Sequence, residues 1–274
     1  MRKTATLQKI GYRKIIYLLV LLSATIPMLY PIGLPVIVTK QTQDLYEYIE
    51  KLPSGSNVAI EFAAYAGMYP DAQAATRAGL IHLFRRPLNI VLWHTTADGP
   101  MLLSGEMKYV KMGNRVYGKD HVFLPYVAGS EATTAALGTN IRGVFKSDSY
   151  GTPIDQIPLM KDINKAEDFA VILVMASAGG NEEWAVRQWM IPHHIPVGAY
   201  TISITYPMLI PYWRAGSVIG MTNGVRGGAE YEALIGSPGP GLRRTDVMSS
   251  VSLLYVALIV VANVEMMREK RPKQ

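Results

Sequence analysis

The sequence predicts an α/β domain with a mainly parallel sheet, flanked by N- and C-terminal transmembrane helices. Three observations carry that expectation. Two apolar windows without charge lie near the two ends of the chain. The cationic excess sits outside those windows, and the long stretch between them alternates strand-like and helix-like runs.

No charged residue occurs between Lys14 and Lys40, or between Asp246 and Glu265. A helix rises about 1.5 Å per residue, so a hydrocarbon core of about 30 Å needs ~20 apolar residues. Ile15–Thr39 exceeds that length, and Val247–Val264 just reaches it despite Ser249, Ser250 and Asn263. Pro27, Pro31 and Pro35 recur every four residues in the first window. Each removes a backbone donor, which predicts a helix from Ile10 to Tyr30 and a bent segment beyond it.

The net charge is +6 over 274 residues. Arg2, Lys3, Lys9, Arg13 and Lys14 precede the first window with no acid among them. Arg268, Lys270, Arg271 and Lys273 follow the second window against Glu265 and Glu269. The tails therefore carry +5 and +2, and the middle carries −1. A nucleic-acid reader concentrates positive charge on its folded domain, so nucleic acid is not an expected partner. Basic residues beside apolar spans mark the cytoplasmic side. Residues 1–14 and 265–274 thus read as cytoplasmic tails, 15–39 and 247–264 as membrane anchors, and 40–246 as one domain outside the cell membrane. A cleaved signal peptide is the competing reading of the first window, with Ser23-Ala24-Thr25 after a short apolar core. The apolar character continues to Val38, which favours an anchor. The absence of cysteine removes disulfides and thiolate chemistry.

Between the anchors, helices are expected over 43–52, 71–84 (with Asp71 as cap), 101–111, 130–145 (with Ser130 as cap) and from Asn181 to Trp189. Strands are expected over 57–62, 88–94, 122–126, 169–176 and, as the last one, 198–206. The run Phe169–Ala176 is apolar throughout, as a central strand buried on both faces would be. Strand and helix in alternation give βαβ units, here a three-layer, Rossmann-like domain with about five strands.

Ligands of such sheets bind at the carboxyl ends of the strands. The candidate binding residues are accordingly Tyr65, His94, Ser177, Gly179, Gly180 and Asn181, with Ala176–Glu183 the most site-like segment. Its small residues and helix start suit a ligand, but Glu182 and Glu183 in the first turn would repel an anion, so a neutral or cationic ligand is expected. The competing reading is a tight strand-to-helix turn. Ser177 follows a strand as a nucleophile does, with His94, His193 and His194 in the chain, but Met-Ala-Ser-Ala-Gly lacks the first glycine of the hydrolase elbow. Adjacent His193 and His194 lack metal-ligand spacing, and His82 reads as a surface or core histidine. No catalytic residue, metal or cofactor is therefore expected.

Gly216, Gly220, Gly224 and Gly228 recur at intervals of four. In a helix they form one close-packing face, for the domain's own sheet or a neighbouring subunit, against a cost of about 1 kcal/mol per glycine. A run of turns is the alternative, because Asn223-Gly224 and Gly227-Gly228 are loop signals. Tyr206–Trp213 reads as a membrane-interface segment or a buried loop, and 236–241 as a glycine-proline hinge. These features point to a non-catalytic structural or assembly subunit of a membrane protein complex. Its expected partners are the lipid bilayer and either further copies of itself, as a homo-oligomer, or other membrane proteins. The alternative is a small-ligand sensor or hydrolase-like enzyme using the carboxyl ends of the strands.

Overall fold

The structure, a computed structural model, describes residues 11–269. They fall into two compact units, one comprising the residues up to Pro35 together with those from Leu242 on, the other Val36–Gly241.

The first unit holds two helices long and apolar enough to cross a membrane, α1 (Tyr12–Leu29) and α11 (Pro240–Glu269), the latter beginning at the end of the second unit. Leu18, Leu21, Leu253 and Val260 leave more than half of their surface exposed, as side chains facing lipid would. Ile10, the expected first residue of α1, lies outside the described residues. The helix stops at Leu29, two residues before Pro31 and with Pro27 inside it. Beyond it, Gly33 takes φ 72°, and the Gly33 and Leu34 amides donate to the carboxylate of Asp246 at 2.9 and 3.1 Å.

The second unit is α/β. Six strands form one all-parallel sheet in the order β3-β2-β1-β4-β5-β6. They are β1 (Asn57–Ala63), β2 (Asn89–His94), β3 (His121–Tyr126), β4 (Val171–Ala176), β5 (Val197–Thr201) and β6 (Val218–Asn223). Side chains alternate between faces along a strand, and here both faces are buried. Val58, Ile60 and Phe62 enter one core with Val171, Leu173 and Met175. Ala59 and Ala63 enter the other with Ile172 and Val174. Each fully buried aliphatic side chain contributes about 1.5–3 kcal/mol relative to exposure.

The first core is covered by α2 (Lys40–Lys51), α3 (Tyr69–Arg85), α4 (Gly99–Met107) and α10 (Gly224–Leu234), which supply Leu45, Leu80, Leu103 and Tyr231. The opposite core takes Leu137 from α5 (Glu131–Thr139), Ile141 from α6 (Ile141–Val144), Ala185 from α7 (Asn181–Ala185) and Leu209 from α9 (Tyr206–Arg214). A π-helical turn over Val186–Met190 continues α7 into the short α8 (Ile191–His193), and it brings Trp189 onto Trp93 with ring centroids 5.8 Å apart.

Four expectations are corrected. The single helix over 130–145 is two, because the Asn140 side chain accepts from the Gly143 amide and starts a new helix. Ser130 does cap the first of them, accepting from the Thr133 amide at 3.2 Å. The strand expected over 198–206 ends at Thr201; Tyr206–Trp213 lies in helix α9, with Pro207 in its first turn. Asp71 does not cap its own helix: its carboxylate accepts from the Ser203 amide at 2.6 Å and the Val225 amide at 3.1 Å, tying the β5 turn to the start of α10.

The glycine run is neither one helix nor a string of turns. Gly216 lies in a turn with φ 76°, Gly220 in β6, and Gly224 at φ 47° where α10 begins. A Cβ on Gly220 would stand 2.3 Å from the Leu45 amide nitrogen of α2. A Cβ on Gly228 would stand 2.5 Å from the Ala74 Cβ and 2.7 Å from the Ala75 nitrogen of α3. Close backbone approach thus occurs at two of the four positions, and the domain's own helices fill both. The segment before α11 is tied down as well, because the Glu232 carboxylate accepts from the Gly239 and Gly241 amides at 3.0 and 2.9 Å.

Candidate functional site

The chain places β2 and β3 on one side of β1, then returns to build β4, β5 and β6 on the other side. At the carboxyl ends of β1 and β4, paired through Ala63 and Ala176, the following loops therefore leave in opposite directions. Such a reversal is where open parallel sheets leave room for a ligand.

Ser177 bridges these two loops. Its hydroxyl accepts from the Tyr65 amide at 2.6 Å and donates to the Tyr65 carbonyl at 3.2 Å, and its side chain is fully buried. A hydroxyl committed to both bonds is a strap, and no described histidine bonds to it. His94 is buried against Phe62 and Gly99, and burial alone pushes its pKa down to about 4. His193 pairs with Glu167 at 2.8 Å. His82 is a core residue, its Nδ1 2.8 Å from the Tyr231 hydroxyl and its Nε2 2.7 Å from Glu50. Burial lowers the His82 pKa, with Glu50 opposing.

Gly180 adopts φ 110° as it turns β4 into α7, a conformation that favours glycine. Gly179 is exposed, and a Cβ there would come 3.1 Å from the Thr205 methyl. The Tyr65 ring is about half exposed. Asn181, the first residue of α7, reaches inward: its Nδ2 donates to Glu61 Oε1 at 2.6 Å.

Glu61 is the residue that sequence reasoning missed. It lies on β1 beside Trp93 of β2 and Val174 of β4 and is 1% exposed. Thr95, just after β2, donates to the same Oε1 at 3.0 Å, while Oε2 has no partner among the described residues. The signal was present, since a lone carboxylate interrupts the apolar run Val-Ala-Ile-Glu-Phe of a strand buried on both faces. Burial pushes its carboxyl up to about 7, with Asn181 and Thr95 opposing.

Glu182 is the second acid. It stands in the first turn of α7 but is fully buried there, so it does not face an incoming anion. Neither carboxyl oxygen makes a hydrogen bond of good geometry among the described residues. Burial pushes it up to about 7 also; the Thr201 hydroxyl and its own backbone amide oppose, and Glu183 and Glu61 add to the rise. Thr201 in turn shares a short hydrogen bond with Thr205.

The structure thus joins Asn181 to Glu61 and Thr95, and Ser177 to Tyr65, with Glu182 alongside. It leaves His94 and the four glycines Gly216, Gly220, Gly224 and Gly228 out of that set. Two carboxyls poised near neutrality can hold or release a proton, and an oxygen without a partner can accept from a ligand donor. Among the described residues no three metal-binding side chains gather. Both acids are buried, while Met68, Tyr126, Ile204 and Met208, in the segments at this end of the strands, are exposed. A cavity of about 560 Å³ opens instead at the amino ends of the strands. Comparison with protein-family models, curated proteins and solved structures finds no significant match to the chain.

Proposed function

We propose that the chain is a cell-membrane protein whose Rossmann-like domain, held outside between two spans with both termini cytoplasmic, binds a small neutral or cationic ligand. The ligand enters at the carboxyl ends of β1 and β4 and donates hydrogen bonds to Glu61, with Asn181 and Thr95 fixing the carboxylate. One observation carries the reading: a buried carboxyl at the point where strand order reverses, with one oxygen left without a partner. A buried acceptor without a donor costs about 1–3 kcal/mol, and a bound hydroxyl or ammonium group would recover it. The strand order β3-β2-β1-β4-β5-β6 is that of doubly wound dinucleotide-binding domains, which supports the fold name. It does not extend to their ligand, because the first strand-to-helix turn, Ala64-Tyr-Ala-Gly-Met68, lacks their glycine pattern.

An assembly role is the second reading. The exposed Tyr65, Met68, Ile204 and Met208 support it, since exposed apolar side chains in number mark contact surfaces. Gly220 and Gly228 do not, because α2 and α3 occupy the space beside them.

The ligand reading is tested on the full chain in detergent by thermal shift with choline, spermidine, free amino acids, hexoses and nucleosides. At least one class should stabilise the wild type, and its affinity should fall about tenfold or more in Glu61→Gln or Asn181→Ala. Equal affinity in both variants overturns it, as does the absence of any shift. A uniform oligomer by light scattering, broken up by Ile204→Asp with Met208→Asp, would favour the assembly role instead.

A further inference from the structure

The cavity at the amino ends of β1, β2 and β3 differs in chemistry from the acid cluster. Its wall includes Phe84, Arg85, Arg86, Lys111, Arg115 and Asp120, so that four cations stand against one carboxylate. Arg115 makes four hydrogen bonds, all to carbonyl oxygens: Phe84 at 3.1 Å, Asp120 at 3.2 Å, Arg86 at 2.6 Å and Leu88 at 2.7 Å. Those bonds orient the guanidinium but supply no counter-charge, and burial lowers its pKa with Asp120 opposing. The Asp120 carboxylate itself accepts from the Val116 amide at 2.6 Å. Arg86 pairs with Glu50 at 3.2 Å, while its Nε is buried without a partner among the described residues. Arg85 donates to the Ile235 carbonyl at 2.8 Å and is exposed, as is Lys111.

Asp120 is the one carboxylate in the wall beside these four cations, and an anion entering there relieves the remaining cost of half-burying a guanidinium. Guanidinium groups match the paired oxygens of a phosphate or carboxylate, and an ammonium adds a point charge. Phe84, Leu88 and Met112 give the same cavity an apolar wall.

We propose that this cavity binds a small molecule bearing a phosphate or carboxylate group, with Lys111 and Arg85 at its mouth and Arg115 and Arg86 behind them. The site is independent of Glu61 and of any ligand there. Two sources share this chemistry, a soluble anion and the headgroup of an acidic lipid.

The full chain in detergent is titrated with pyrophosphate and with citrate by calorimetry, then placed in nanodiscs of phosphatidylcholine with and without phosphatidylglycerol. Saturable binding of either soluble anion is expected. It should weaken about tenfold in Arg85→Gln and in Lys111→Gln, and weaken further as salt is raised. Displacement of the soluble anion by phosphatidylglycerol nanodiscs supports the site with a lipid source, and persistence supports it with a soluble one. Affinity unchanged in the double variant Arg85→Gln/Lys111→Gln, its fold checked by circular dichroism, overturns the proposal. So does the absence of saturable binding together with no stabilisation by phosphatidylglycerol.

Discussion

The two ends of the sheet differ in the charged side chains that tie their loops. At the carboxyl ends the charged ones are acids accepting from backbone N–H groups: Asp71 from Ser203 and Val225, and Asp98 from Ala66. At the amino ends arginines donate to backbone C=O groups, Arg115 to Phe84 and Arg86, Arg86 to Leu52, and Arg85 to Ile235, beside two acids, Asp120 and Asp168, that accept from backbone N–H groups. All strands are parallel, so the helices that follow them start at one end of the sheet and finish at the other. Helix starts present unpaired N–H groups and helix ends unpaired C=O groups, so acids suit one edge and bases the other. Topology accounts for most of the charge separation. It does not account for Glu61 and Glu182, which lie buried, or for Lys111, which makes no capping bond among the described residues. The two proposals rest on that remainder.

The contrast can be broken at either end. The largest effect is expected at the amino end. Arg115→Met would remove a donor from four carbonyls, of which those of Arg86 and Asp120 keep the Leu88 and Ile90 amides, and since the site is half-exposed about 3 kcal/mol should be lost in urea unfolding of the domain. A loss below 1 kcal/mol would mean that water replaces the guanidinium and that this arginine does not hold the amino edge together.

The acid cluster makes the next prediction, through pH. Glu61 and Glu182 sit at about 7 in the folded chain against a usual 4.5. Between those values the folded state holds more protons than the unfolded one, so stability from these groups is full below 4.5 and declines as pH rises through 7. The decline is about 3 kcal/mol per carboxyl at most. Wild type compared with Glu182→Gln cancels the other titrating groups. The variant should melt higher than wild type at pH 8, and the difference should close by pH 5. A pH-independent difference would place Glu182 outside that window.

A smaller effect is expected from the strap. Ser177→Ala removes two hydrogen bonds to Tyr65 and should cost about 1–2 kcal/mol, with faster amide exchange at Tyr65 and Ala66. Smaller still, Lys111→Gln should change stability by less than about 0.5 kcal/mol, because its role is in binding and not in folding. A larger loss would make the lysine structural.

The α/β class and the five strands expected were legible because buried strands announce themselves: Ile60, Val91 and Leu173 sit in apolar runs of strand length. β6 and α10 were not, because Gly220 and Gly224 broke the periodicity that would have separated strand from helix. Their spacing imitated a helical stripe, although one glycine admits α2 to the sheet and the other turns the chain. Of the candidate site, Asn181 and Ser177 were found through their position after β4. Glu61 was hidden inside a strand signature, where its neighbours made the run look like core. Glu182 was misjudged because a charge in a first helical turn ordinarily faces water.

The titration of Glu61 tests the buried site most directly. Isotope-edited infrared spectra of the full chain, labelled at glutamate, can be recorded from pH 4 to 9 for wild type and Glu61→Gln. The difference should show a protonated carboxyl lost with an apparent midpoint of about 7, belonging to the Glu61–Glu182 pair. A midpoint near the usual 4.5 would mean that water reaches Glu61 freely, and a buried, proton-holding site at the carboxyl ends of β1 and β4 would not exist.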